Sequence, residues 1–485
     1  MSAPNDRRDR GANALDHALA PVLPVLLAVL GVACFAGFVR AAAIAPLHVS
    51  LDPNEGWNAY HALAAIAGHG LYPDPASFMT NNYPPLSFYV TGFFGALIGD
   101  NIVAGRVLSL ASFLCVCGFA AVAVRRMNGS WRAADFAAFL LAGTLLLTSD
   151  YVGMDDPQLL GHAIQLAGLL IVLREPRTRP AMFLSAGLFV AGGFVKHNLF
   201  ALPLACLVWL VLFDRRNGLR FALWLIVFSL SGLLAFRVVF GFDLLERLNS
   251  PRAWSVAQLE ENLLSWLATA AISLCALGAL VLWSRNDKAV VLTAIYAALA
   301  LVSGTLLLGG AGVDVNAMFD ADIALALGVG LALGRLAGRR SPLPHIAGRA
   351  LALACVAPLA VIAVADHDSR HWSFWTHPMR DEAALAEHDL SFLRTHSGPA
   401  MCESLAFCYW AGKPAGIDVF NLDQQLIKHA RDPAPFLRQL DSHHFSAIEL
   451  DETTPFPLPP DLQVSMNRNY RVDHSDDEGV FFVPK

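Results

Sequence analysis

Residues 86–98 read Leu86-Ser-Phe-Tyr-Val-Thr-Gly-Phe-Phe-Gly-Ala-Leu-Ile98, an apolar run with no charged residue. Whether this run crosses a bilayer decides the sidedness of everything after it. A spanning helix needs about 20 apolar residues to cover roughly 30 Å of hydrocarbon. The run falls short of that. Letting it cross would also put Arg125 and Arg126 outside and invert every later loop. It is therefore expected to lie along the outer interface as a juxtamembrane helix.

Working outward from it, eleven stretches read as spans: 22–39, 102–124, 133–149, 157–173, 180–195, 198–213, 221–240, 263–283, 289–309, 317–334 and 350–365. With the N-terminus inside, alternate segments collect the cations: Arg7, Arg8, Arg10; Arg125, Arg126, Arg132; Arg174, Arg177, Arg179; Arg215, Arg216, Arg220; Arg285, Lys288; and Arg335, Arg339, Arg340, Arg349. These are 18 of the 24 Lys and Arg residues before residue 366. Short cytoplasmic loops hold such an excess, so the expected topology is N-inside and C-outside. Arg7–Arg10 followed by an apolar run and Ala41–Ala45 resembles a cleaved secretory signal. The apolar run is longer than the usual 7–15 residues, which favours a retained first span.

Composition agrees. The chain of 485 residues is 55% hydrophobic and 15% charged, with a mean hydropathy of +0.49. Soluble domains carry about 25% charged residues. The net charge of −6 comes with no basic face, which excludes a nucleic-acid partner. The expected architecture is an all-α polytopic membrane domain, residues 1–366, followed by a small exported α/β domain, residues 367–485. The tail should hold helices around Asp381–Arg394 and Asp423–His429, with strands near Ala400–Cys402, Ser446–Leu450 and Val480–Val483. Six cysteines (Cys34, Cys115, Cys117, Cys206, Cys275, Cys355) fall in spans and read as apolar packing. Cys402 and Cys408 fall in the tail, where a disulfide and two buried thiols are both open.

The chemistry is expected in the outer loops. The first, 46–101, is far too long to be a connector. It contains Asp52-Pro-Asn-Glu55-Gly-Trp-Asn-Ala-Tyr60 and Asn81-Asn82-Tyr83-Pro84-Pro85-Leu86. A second outer loop contains Met154-Asp155-Asp156-Pro157, with Pro157 suited to the first turn of a helix. Any one of these acids could be a helix cap and nothing more. Two acidic clusters on one side point to function. A transferase on that side must draw on a lipid-phosphate donor, because nucleotide sugars are made inside. It needs a carboxylate base for the acceptor hydroxyl, cations or backbone donors for the departing phosphate, and an apolar groove for the prenyl chain. Lys196, in Phe194-Val-Lys196-His197-Asn198, sits between two spans near the outer face; it either snorkels or pairs with a phosphate. Arg106 and Arg237 are weaker candidates of the same kind.

The order of these features resembles the class C (GT-C) glycosyltransferases. They run as a first span, an acidic outer loop, a Pro-Pro-Leu-aromatic motif, an Arg-led second span and an outer Asp before the fourth. The branch is that of bacterial dolichyl-phosphate-mannose-protein mannosyltransferase relatives and lipid A aminoarabinose transferases. That resemblance implies a GT-C fold in the bacterial inner membrane. It also implies an inverting transfer from a polyprenyl-phosphate sugar to a periplasmic glycan, lipid or protein acceptor. Carried over by position, the base is Asp52 or Glu55, with Asp52 preferred, because Asn54-Glu55 stands where the family has Asp-Glu. Asp156 matches the second-loop acid, with Asp155 as its alternative. Tyr83 stands where the aminoarabinose branch has Lys, which argues against aminoarabinose as the sugar. Asn316 and Asp320 occupy an outer loop that lines the donor pocket in the family, and Lys196 and His197 flank the same region. His61 and His69 lie too far apart for a standard metal pattern. No cofactor is assigned, although Mg²⁺ or Mn²⁺ at a phosphate stays open. A transporter or lipid flippase, or a non-catalytic envelope assembly protein, would share the hydrophobicity but would not need the acids.

Overall fold

The computed structural model describes residues 16–128, 130–248, 250–338, 342–365, 379–451 and 460–485. Arg7, Arg8 and Arg10, Arg339 and Arg340, and the expected domain boundary at residue 366 lie outside them. An apolar helix occupies each of the eleven stretches: Val22–Ile44, Asn101–Asn128, Trp131–Thr148, Gln158–Val172, Arg179–Val195, Ala201–Phe213, Arg215–Phe240, Val256–Ser284, Lys288–Leu308, Phe319–Ala337 and Pro342–Ala365. Eight helices among the described residues are long and apolar enough to cross a membrane. Gln158–Val172, Arg179–Val195 and Ala201–Phe213 are shorter. The chain is a multi-pass membrane protein.

Phe319–Ala337 is the axis of the bundle. Its residues from Phe319 to Leu333 are all buried, packed against Asn101–Asn128, Trp131–Thr148, Val256–Ser284 and Lys288–Leu308. The outer helix Arg215–Phe240 instead leaves Leu219, Leu223, Leu230, Leu234 and Val238 exposed. An apolar exposed face of that kind suits contact with lipid.

The first loop is more than a connector. It holds a helix, Pro53–Ala67, and the run at 86–98 is a second helix, Leu86–Ile98. Asp52 caps the first in extended geometry, Pro53 takes its first position, and Gly68 ends it in the left-handed region at φ 77°.

The tail carries a four-stranded sheet: β1 (Ala400–Cys402), β2 (Ala447–Leu450), β3 (Tyr470–Asp476) and β4 (Gly479–Pro484). They lie in the order β1-β2-β4-β3, β1 and β2 parallel and the other pairs antiparallel. β3 was not expected: four of its residues, Arg471–Asp473 and Ser475, are exposed, so it lacks the apolar alternation that marks a strand. The expected helices become Met379–Thr395 and Val419–Ile427, and Leu405–Trp410, Ala434–Asp441 and Pro460–Asn469 join them. Cys402 and Cys408 form a disulfide, tying the end of β1 to the helix Leu405–Trp410.

This tail is not a detached module. Leu405 and Ala406 press directly on Gly56, where a Cβ would overlap the Leu405 carbonyl carbon and the Ala406 nitrogen. Tyr60 Oη donates to the Lys413 carbonyl (2.7 Å), Trp410 Nε1 to Asp100 Oδ2 (2.9 Å) and the Asp418 amide to the Phe78 carbonyl (3.1 Å). Trp57, Tyr60, Phe88 and Leu405 share one apolar cluster.

Candidate active site

The acids of the first loop divide by their place on one helix. Glu55, in the first turn, is fully buried. Its Oε1 accepts from Arg106 Nε (2.7 Å) and the Asp155 amide (3.0 Å); its Oε2 accepts from an Arg106 terminal nitrogen (2.6 Å) and the Leu51 amide (3.0 Å). Four donors saturate the carboxylate, so it has no lone pair for an acceptor proton. Arg106 is as fully committed. Besides Glu55 it donates to the carbonyls of Ala45, Leu47 and Val49, which uses all five N–H groups. The expectation of Glu55 as a base and Arg106 as a phosphate ligand is corrected on this ground. The pair is a clasp that folds the loop onto the second span.

Asp155 belongs to the same clasp. Its carbonyl accepts from Asn58 Nδ2 (2.7 Å), and its carboxylate lies against Gly105, where any Cβ would overlap it. Burial first, then the Glu55 and Asp156 charges, hold its carboxyl well above the usual range. It is behind the cavity wall rather than on it, contrary to the expectation of a substrate contact.

Asp52 is placed differently. It stands three residues before Glu55, outside the helix, and lines a cavity of about 470 Å³ with Tyr83, Asp156 and Asn316. Its Oδ1 accepts from the Asn54 amide (2.8 Å) and side chain (2.6 Å). Oδ2 has no protein partner among the described residues. Burial pushes its carboxyl up to about 6, against the lowering by Asn54.

Asp156 accepts from the Gln158 amide (2.7 Å), capping the helix behind it, and from Lys196 Nζ through both oxygens (3.0 and 3.1 Å). Lys196 is 4% exposed, so it does not snorkel to an interface. Its ammonium lies 5.4 Å from the Tyr83 ring centre, and His197 packs edge-on to the same ring at 5.9 Å. Asp320 is a further correction. It sits in the first turn of the axial helix, buried, accepting from Tyr296 Oη (2.5 Å), and not on the cavity wall.

Beside this polar cavity runs an apolar groove of about 580 Å³, bounded by Arg179–Val195, Ala201–Phe213 and Arg215–Phe240. His197 and Pro84 line it, and Tyr83 lines the cavity. Neighbouring residues, Tyr83 and Pro84, thus bound the two spaces. Sequence reading missed Arg252, Tyr151, Glu403 and Asp418, which also line the cavity. Arg252 bonds the Ala311 carbonyl (3.3 Å) and covers Phe420 at 5.3 Å. Its signal was available: it is one of six cations before residue 366 that lie outside the cation-rich segments.

Residues 82–241 match the family model described as dolichyl-phosphate-mannose-protein mannosyltransferase. The chain superposes on ArnT from Cupriavidus metallidurans in the apo state, with TM-score 0.59 and 17% identity over 96% of this chain and 98% of that one. The chain has the GT-C fold. The GT-C match extends to ArnT bound to undecaprenyl phosphate (TM-score 0.58, 16% identity, 94% and 97% covered). It extends also to the Archaeoglobus fulgidus oligosaccharyltransferase AglB in complex with an inhibitory peptide and a dolichol-phosphate (TM-score 0.53, 12% identity, 86% and 69% covered). Comparison with curated proteins gives no match.

Proposed function

We propose that the chain is a membrane glycosyltransferase that moves a sugar from a polyprenyl-phosphate donor to an acceptor hydroxyl in the acid-lined cavity. One observation carries this reading: a polar cavity with a partly free carboxylate and an apolar groove lie side by side, neighbouring residues Tyr83 and Pro84 lining the one and the other. Only an amphipathic substrate fills both. The prenyl chain lies in the groove, the phosphate at the seam near Lys196, His197 and Arg252, and the sugar among Asp52, Asp156 and Asn316. ArnT bound to undecaprenyl phosphate, a protein of the same fold, supports the choice of lipid.

In the reaction, Asp52 Oδ2 takes the acceptor hydroxyl proton while that oxygen bonds to the anomeric carbon. The bond from that carbon to the phosphate oxygen breaks, and polyprenyl phosphate leaves with its electron pair. Attack opposite the leaving group inverts the centre. Cations at the seam stabilise the phosphate as its charge develops.

Binding of polyprenyl phosphate and of the uncharged polyprenol to the purified protein tests the seam. The wild type should prefer the phosphate by tenfold or more. Arg252→Met and Lys196→Met should each remove most of that preference, while Lys196→Arg keeps part of it. Because Lys196→Met also strands Asp156, the double variant with Asp156→Asn is run beside it. Equal preference in all the variants would remove the phosphate from the seam.

We also place the cavity on the non-cytoplasmic face of a bacterial inner membrane, with a periplasmic tail. The cation distribution supports this, as does the tail disulfide, a bond rare in reducing compartments. Reporters fused after residue 100 or after Lys485 should register export, and those after Arg126 or Arg216 cytoplasm. A cytoplasmic signal from the Lys485 fusion would overturn the arrangement.

A further inference from the structure

The tail contains a second group of chemistry-bearing residues, none of which lines the cavity or the groove. His388 and Asp389 are adjacent on the helix Met379–Thr395, and His474 and Asp476 are two apart on β3. Residues two apart on a strand share a face. A register shift between Val472 and His474 sets that face, as bulges do when they re-aim side chains. One ligand atom from each of the four lies within 4.8 Å of all the others.

Asp389 is fully buried. Its Oδ1 meets His388 Nδ1 at 3.1 Å and His474 Nε2 at 3.2 Å. Its Oδ2, also buried, has no partner among the described residues. A buried carboxylate oxygen without a donor is costly, and a cation is the natural partner for it. The His474 ring is held rigidly, stacked on Phe481 at 4.6 Å and edge-on to Phe392 at 4.8 Å. Its far nitrogen, Nδ1, faces Asp473 Oδ2 at 3.1 Å. That carboxylate–imidazole pairing is the arrangement that orients metal-bound histidines.

We propose that His388, Asp389, His474 and Asp476 bind one divalent transition-metal ion, Zn²⁺ by preference, as a clip between the helix Met379–Thr395 and the β3–β4 hairpin. Two imidazoles and two carboxylates make a four-ligand set suited to tetrahedral zinc rather than to Mg²⁺ or Ca²⁺, which favour six or more oxygens. The two short N···O separations at Asp389 already approach the roughly 3.3 Å expected between neighbouring ligands on zinc bonds of about 2.0 Å. Asp473 is a positioning residue, acting through His474.

The test uses the purified full chain in detergent, stripped with chelator and titrated with Co²⁺ and Zn²⁺. One ion per chain should bind, with the intense visible absorption of tetrahedral cobalt. His388→Ala, at a largely exposed side chain, and Asp476→Asn should each lower affinity at least tenfold, and Asp473→Asn by about 10–100-fold. Thermal unfolding guards against misfolding: variants and wild type should melt together in chelator, and only the wild type should gain fully from added zinc. Absence of stoichiometric binding would overturn the proposal. So would binding that both ligand variants leave unchanged, which would put the ion elsewhere.

Discussion

Asp52→Asn should lower transfer by about 10²–10⁴-fold, the usual worth of a general base, with membrane insertion and yield unchanged. The substitution keeps the cap, because the asparagine oxygen still accepts from the Asn54 amide. Only the proton acceptor is lost. The pH profile gives a second readout. Burial raises the Asp52 carboxyl to about 6, and a base works when ionised. Wild-type rate should therefore climb as pH rises towards and past 6 and then level off. The residual Asp52→Asn rate should lose that rise. Turnover of a polyprenyl-phosphate sugar by the purified protein at saturating donor measures both. Normal transfer by Asp52→Asn would remove Asp52 as the base, whereas a wild type that transfers no sugar would leave a flippase or an assembly protein as the stronger reading.

Glu55→Gln should fail differently, by loss of folded protein. Glu55 and Arg106 are each fully shielded from solvent, and removing one partner of a buried pair costs about 3–5 kcal/mol, because the other charge is stranded. Arg106 would keep its three carbonyls but face them with an uncompensated charge. The expected outcome is a sharp fall in monodisperse yield and a markedly lower unfolding temperature in detergent. Arg106→Met should do the same from the other side. A stable Glu55→Gln protein that has lost only transfer would return Glu55 to the chemistry.

The contrast between Asp52 and Glu55 shows where sequence reading runs out. Span length and apolarity are local properties, so all eleven helices fall where the apolar runs placed them, and Trp131–Thr148 departs from its expected ends by at most two residues. The clasp is not local. Arg106 is 51 residues from Glu55, and no periodicity within either segment announces the pairing. The same limit hid the cavity wall supplied by Glu403 and Asp418; Asp418 meets the first loop at Phe78, more than three hundred residues away. Charge placement carried more than was drawn from it. Before residue 366, the cations outside the six cation-rich segments are Arg40, Arg106, Lys196, Arg237, Arg247 and Arg252. Three of these are the clasp, the Asp156 partner and the cavity arginine. Charges that break a topological rule are costly to keep, which makes them the first residues to question.

The Cys402–Cys408 bridge makes completion of the site a matter of timing. It pins the short helix whose Leu405 faces the cavity and whose neighbour Ala406 rests on Gly56. A nascent chain can thread every span and fold the Glu55–Arg106 clasp with both thiols still reduced. The cavity roof is then secured only by packing, and oxidation removes the alternative conformations of that segment. On the proposed topology, insertion and the tying of that segment would be separate events, the second waiting for an oxidising compartment. A chain kept reduced should hold its acids in position while the segment beside them rests on packing alone.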